Sequence, residues 1–364
     1  MSDTPYKQLG DHCFWKRAVV KPELSKVDPV VDFNFKISKE TKVATAGSCF
    51  AQHIARHLQH SGYHYYVVEP GHPLIKESFR KEFNYGTFSA RYGNLYTTRQ
   101  LLQLLKRAYG QFIPQEAVWK SKDGSYRDPF RPNIQPKGFV SEQEMLADQK
   151  QHLNAVRKMF ETLDVFVFTL GLTECWRSKE DGAVFPLCPG IEGGEFSEDK
   201  YEFYNQTVLD VIDDLRMFVE LLKFINPQAR VILTVSPVPL MATAESDTHV
   251  LTATTYSKSV LRVAADMINR EFEHVQYFPS YEIITGNFNK GSYYADDLRN
   301  VVETGVNHVM GLFLKHATDV NADDSQLEPL ADDKDDDKDI QNEAFLKQAQ
   351  EIVDVECDEE LLDR

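Results

Sequence analysis

The chain has 364 residues, 42% of them apolar, with 56 acidic against 40 basic side chains and a formal charge of −16; this suits a globular chain of one large domain with insertions, or two small ones. The acidity is local, because residues 320–364 hold 17 of the acids and 4 of the bases, which leaves a nearly neutral body and excludes the basic surface of a nucleic-acid binder. No run reaches the roughly 18 apolar residues of a membrane span, and five cysteines without zinc or disulfide spacing (Cys13, Cys49, Cys175, Cys188, Cys357) fit reduced thiols in a cytoplasm.

Residues 1–40 read as an irregular arm packed on the domain. Met1 to Pro29 is too polar for a signal peptide, prolines oppose long helices, and Phe14-Trp15 with Phe33-Asn34-Phe35 supply anchors. Val43 to Ala46 reads as a short buried strand, Gly47-Ser48-Cys49 as a tight turn, and Phe50, Ile54 and Leu58 mark a helix over 50–60. A strand entering a helix through Gly-Ser sets the Ser48 hydroxyl at the carboxyl end of the strand, where open α/β sheets bind ligands. Helix N–H groups there can hold an oxyanion. A plain capping role for Ser48 is the simpler alternative, and the two are compatible.

Next come a strand at 64–68, an aromatic loop over 73–98 and a helix at 100–109. Residues 110–140 form an excursion with little regular structure, in which Arg131 is either a reader of an anionic or sugar substrate or a buried structural partner. Ser141 and Glu144 carry a capping-box signature for a helix over 142–163. Val165 to Leu170 reads as a buried central strand ending at Gly171-Leu172-Thr173-Glu174, and 184–196 as a Gly- and Pro-rich loop beside it. A helix at 206–225, a strand at 230–235 ending in Ser236-Pro237, a helix at 253–269, a strand at 274–278 and a helix at 304–316 complete the domain. The alternation calls for an α/β fold, doubly wound, with a mostly parallel five-stranded sheet, loop insertions and a disordered acidic C-terminal tail over 319–364. Within the tail, 341–356 has the pattern of a short amphipathic helix able to dock a protein partner, though an unstructured tail is the reading preferred. His53, His57, His60 and His64 form a stripe on the first helix that reads as surface and not as a metal site. No cofactor motif is present.

Gly47-Ser48-Cys49-Phe50-Ala51 resembles the signature string of the GSCFA proteins, a bacterial group related to the SGNH (GDSL-type) hydrolases. The resemblance runs over about residues 6–316 and includes Tyr92-Gly93-Asn94-Leu95-Tyr96-Thr97, 184–196, 248–262 and Ala295-Asp296-Asp297-Leu298-Arg299-Asn300. It implies a flavodoxin-like domain over 41–318 with strand order 2-1-3-4-5, and Ser48 as nucleophile. It also implies an oxyanion glycine after the second strand, for which Gly86 and Gly93 both qualify. Where SGNH proteins have Gly-x-Asn-Asp, this chain has Thr173 and Glu174; a threonine hydroxyl donates as an amide does, whereas an ionised glutamate cannot.

The largest departure concerns the base. SGNH enzymes place Asp-x-x-His before their last helix, and counting from Asp297 the histidine position falls on Asn300, which accepts no proton near neutral pH. His249, after the fourth strand, is the favoured replacement; His308, a buried Lys258, or loss of activity are the other readings. The resemblance implies a serine-dependent ester hydrolase or O-acyltransferase that forms an acyl-enzyme, with a small-molecule or saccharide ester as substrate, a possible acyl donor as second substrate, and carbohydrate O-acyl groups as the favoured class. The rivals are an inactive carbohydrate-binding module and an interaction protein working through its acidic tail.

Overall fold

The computed structural model describes residues 4–48 and 50–319, and in them the apolar runs become a covered parallel sheet. In chain order the elements are β1 (Val43–Gly47), α1 (Phe50–His60), α2 (Glu77–Glu82), α3 (Thr98–Ala108), β2 (Trp119–Lys120), β3 (Tyr126–Arg127), α4 (Glu142–Thr162), β4 (Val165–Leu170) and β5 (Glu174–Ser178). There follow β6 (Val184–Phe185), β7 (Tyr201–Asn205), α5 (Val208–Ile225), β8 (Arg230–Val235), α6 (Val250–Glu271), β9 (Val275–Tyr277), α7 (Ser280–Thr285) and α8 (Glu303–Ala317).

β1, β4, β8 and β9 pair in that order, all parallel. Alternation along each strand sends side chains to opposite faces. Ala44, Ala46, Phe166, Phe168, Val231 and Leu233 meet residues of α3, α4, α5 and α6. Val43, Val165, Val167 and Ile232 meet α1, α7 and α8 on the other face. Every residue of β1 and β4 is therefore buried, as a sheet covered on both sides demands. Caps fix the helix starts: Thr97 and Gln100 close a capping box on α3, and Ser141 Oγ accepts the Glu144 N–H on α4.

Three expectations need correction. The strand expected at 64–68 is a single parallel bridge between Tyr65 and Val43: Tyr66 N–H reaches Val43 O, but Val68 N–H turns away to Ser89 O, so the sheet has four strands and not five. Between β4 and α5 the chain adds an unexpected antiparallel sheet of β6, β5 and β7; only Val184 and Phe185 of the 184–196 stretch join it and the rest is loop as expected, and the 110–140 excursion holds little regular structure beyond the β2–β3 pair. In the arm, Phe33 and Phe35 are buried in the second core and Ile37 bridges Thr318, whereas Trp15 is 64% exposed; the turns around it bury nothing. The expected acidic tail lies outside the described residues. Among the described residues, no helix is long and apolar enough to cross a membrane.

Candidate active site

The site is built where β1 ends. Gly47 has φ +137°, and a Cβ on it would stand 2.3 Å from Thr169 O, so only glycine lets β1 approach β4 this closely. Ser48 N–H donates to Thr169 O at 3.2 Å and Ser48 O accepts the Ala51 N–H at 2.8 Å, which ties the serine backbone to the sheet on one side and to α1 on the other. The side chain is held but unspent: Ser48 is 4% exposed and its Oγ has no hydrogen-bond partner among the described residues. Capping does not account for it, since Oγ accepts none of the helix N–H groups among the described residues. A buried polar atom left unsatisfied in a folded protein calls for a reason.

Two neighbours press on Ser48. A Cβ on Gly171, the residue after β4, would lie 3.2 Å from Ser48 Cβ and 3.1 Å from Tyr96 O, so the glycine keeps the serine face open. Gly171 and Leu172 N–H both donate to Tyr96 O at 3.0 Å, and Leu95 N–H donates to Gly47 O at 2.9 Å. The loop carrying Gly93, Asn94, Leu95 and Tyr96 is thereby fastened to the strand ends. Of the two candidate oxyanion glycines, Gly93 (φ +71°) belongs to this loop; Gly86 (φ +83°) lies earlier, ahead of Ser89, whose Oγ accepts the Thr45 N–H further back along β1. On the far side of Gly171 stands Lys258 of α6, 2% exposed, its Nζ donating to Gly171 O at 2.7 Å. A long cationic side chain is rarely buried this fully.

The other candidates have defined structural partners. Thr173 is sealed, its hydroxyl donating to Asn205 Oδ1 at 2.7 Å and its N–H to Ser257 Oγ at 3.1 Å. Glu174 accepts from the Thr243 hydroxyl at 2.7 Å and from the Ala244 N–H, which pins the segment after β8 to the start of β5. Burial raises its carboxyl above the usual range, Thr243 and Ala244 opposing and Glu245 adding to the rise. His249 is exposed and caps α6, its Nδ1 accepting the Leu251 N–H at 3.1 Å. Asp297 is closed on its own turn, accepting from Arg299 N–H, Asn300 N–H and the Asn300 amide; Asn300 thus fills the histidine position and also occupies the aspartate. His308 bonds the Tyr293 hydroxyl at 2.8 Å and stacks edge-on with Phe288. No described contact joins His249, Asp297 or His308 to Ser48. Asn94, buried to 4% on the fastened loop, went unnoticed in the sequence, although a buried amide beside a glycine turn offers the donor type an oxyanion needs.

Of the histidine stripe expected on one helix, His53, His57 and His60 lie on α1, from half-buried His53 to exposed His60, whereas the helix ends at His60 and exposed His64 lies beyond it. Burial pulls His53 down to about 3, with Arg56 and His57 adding to the fall.

Behind the fastened loop lies a buried charge system. Arg131, 3% exposed, binds Asp128 and Asp148 at 2.8 Å each; Arg91 shares Asp148, and Arg91 N–H donates to Glu69 Oε2. This assigns Arg131 the structural alternative. His152 Nδ1 stands 2.7 Å from the same Glu69 oxygen. Burial draws the His152 imidazole down to about 4, Arg131 helping and Glu69 opposing. Burial alone would raise Glu69, but His152, Arg131 and the Arg91 N–H together hold it below its usual value. Between 6.5, the ordinary histidine value, and about 4, the unfolded chain binds a proton that the folded protein refuses. This part of the stability is complete above that window and lost as pH falls through it. The expected result is a steeper fall of Tm between about pH 7 and 4.5 for wild type than for His152→Gln, which keeps a donor to Glu69; parallel curves contradict a neutral His152.

Comparison with known proteins gives three findings. A family profile described as "GSCFA family" matches residues 42–313. No curated protein matches the chain. Among solved structures, one provisionally described as a GDSL-like lipase from Parabacteroides merdae ATCC 43184 aligns with 12% identity and a TM-score of 0.31, covering 78% of this chain and 97% of that one.

Proposed function

The chain belongs to the GSCFA family, and from that premise we propose that it is a serine-dependent enzyme of the SGNH type acting on ester bonds, with Ser48 as nucleophile. The observation that carries this reading is the buried, unpartnered Ser48 Oγ at the carboxyl end of β1, set against Gly171. In the first step Ser48 Oγ bonds to the acyl carbon, its proton passes to a base, and the ester's alcohol leaves with a proton as the acyl-enzyme forms. In the second, water or a sugar hydroxyl takes the acyl group and Ser48 recovers its proton. Carbohydrate O-acyl groups are the favoured substrate class, supported by Trp176, Phe196 and Phe203, a partly exposed aromatic group on and beside the antiparallel sheet that continues from Thr173. Free thiols at Cys13, Cys175 and Cys188 support a reducing cytoplasm as its location.

Two groups compete for the proton. Lys258, in its neutral form, is favoured by its anchorage on Gly171 O. His249 keeps only Nε2 for the purpose, because Nδ1 holds the helix cap. With p-nitrophenyl acetate and peracetylated glucose as substrates, Lys258→Met is expected to lower kcat by about 10²-fold or more, and His249→Ala to lose little beyond a cap worth about 1 kcal/mol of stability. The opposite pattern makes His249 the base. The closed Asp297–Asn300 turn favours a second reading, a binding module that lost its catalytic pair. A wild-type protein that binds acetylated saccharide but turns over neither ester establishes it.

A further inference from the structure

The last turn of α3 carries Arg107, buried to 8% exposure, with its guanidinium carbon 3.7 Å from the centre of the Phe130 ring. It lines a small indentation whose walls include Tyr92, Leu95, Gln103, Phe130 and Arg131. Most of the other polar groups there are spent, and Gln100, which also lines it, accepts the Tyr96 and Thr97 N–H groups on its Oε1. Gln103 donates to Gly182 O and accepts the Val184 N–H, the Tyr92 hydroxyl bonds Thr45 O, and Arg131 is divided among Asp128, Asp148 and Arg91 O. For Arg107 there is neither a carboxylate at ion-pair distance nor a hydrogen-bond acceptor among the described residues. Burial draws its guanidinium down to about 10, Asp128 opposing and Arg131 adding to the fall. A dehydrated cation with five forked donors and only a ring face beneath it is costly to keep, and the partner that matches such a fork is a planar or tetrahedral oxyanion.

We propose that this indentation binds an acidic group of the substrate, a carboxylate or a phosphate, through Arg107. Two of its walls, Tyr92 and Leu95, belong to the loop that borders the nucleophile: Leu95 N–H holds Gly47 O, and the Tyr92 hydroxyl holds Thr45 O. An acid seated there orients a molecule whose ester reaches Ser48. The favoured substrate thereby narrows to an acylated acidic saccharide, such as a uronate or a sugar phosphate. The substrate role rests on the ester-cleaving reading of Ser48; the anion site itself does not.

The test has a binding arm and a kinetic arm, both on the full chain. In the first, titration with glucuronate, glucose 6-phosphate and inorganic phosphate is followed by calorimetry and by Tm. Wild type is expected to bind the acidic sugars and rise in Tm. Arg107→Gln is expected to bind them about tenfold or more weakly, while Arg107→Lys retains part of the affinity. Wild type that ignores all three anions overturns the proposal, whatever the variants do. Binding of inorganic phosphate without either acidic sugar overturns the substrate role. In the kinetic arm, the ratio of kcat/KM for an acetylated uronate to that for a neutral acetyl ester is expected to fall about tenfold in Arg107→Gln; an unchanged ratio overturns the substrate role. If wild type cleaves no ester at all, the Ser48 reading fails and the binding arm still decides the anion site.

Discussion

Ser48→Ala is expected to remove ester turnover, with kcat falling by about 10³-fold or more, while Tm stays where it was or rises. The two effects separate because the hydroxyl makes no hydrogen bond among the described residues. A nucleophile has no substitute in the acyl transfer step, so its loss appears in full in the rate. A buried hydroxyl without a partner, by contrast, costs the fold about 1–3 kcal/mol of desolvation, and removing it returns part of that. If Oγ were a helix cap, the same substitution would cost about 1 kcal/mol instead. The sign of the Tm change therefore distinguishes a group kept for chemistry from one kept for structure.

The largest effect on stability is expected at the neighbouring residue. Gly47→Ala places a Cβ 2.3 Å from Thr169 O and 2.8 Å from Thr169 N and Cβ, atoms of a strand paired on both sides that have no room to retreat. Left-handed strain and the clash act together, for a loss of about 3 kcal/mol or more, which is roughly 6 °C or more in Tm. Gly86→Ala separates the two causes. Gly86 also has positive φ, +83°, but nothing lies within 4 Å of its added Cβ, so only the backbone term of about 1 kcal/mol remains. Equal losses in the two variants contradict the account of Gly47 as the close approach that sets the site.

The central strands and the serine turn were readable in the sequence because their signals are local. Val165 to Leu170 is an unbroken apolar and β-branched run, and Gly47-Ser48 interrupts a strand just ahead of Phe50, Ile54 and Leu58 at helical spacing. Non-local facts were not. Nothing in His64 to Val68 reveals that Ser89 takes the Val68 N–H and ends the pairing after one bridge. Tyr201 to Asn205 has an aromatic alternation, but its partner at 174–178 is separated from it by glycines and prolines that read as loop. The candidate site divides along the same line. Ser48, Gly93 and Lys258 belong to elements that the sheet topology brings together, whereas Thr173 was judged by the chemistry of its hydroxyl, and that hydroxyl is spent on Asn205, 32 residues away. Asp297 and Asn300 were judged by resemblance to a catalytic pair, and their short spacing lets them satisfy each other within one turn. Arg107 gave no sequence signal, since the last turn of an amphipathic helix is an ordinary place for arginine; only its burial without an acid marks it.

The most direct test of Ser48 as nucleophile is covalent. The full chain is treated with a fluorophosphonate and the adduct located by mass spectrometry. The account predicts one adduct on the tryptic peptide spanning residues 43–56, at Ser48, absent from Ser48→Ala and slowed in Lys258→Met. No adduct on wild type, or an adduct that persists in Ser48→Ala, contradicts it.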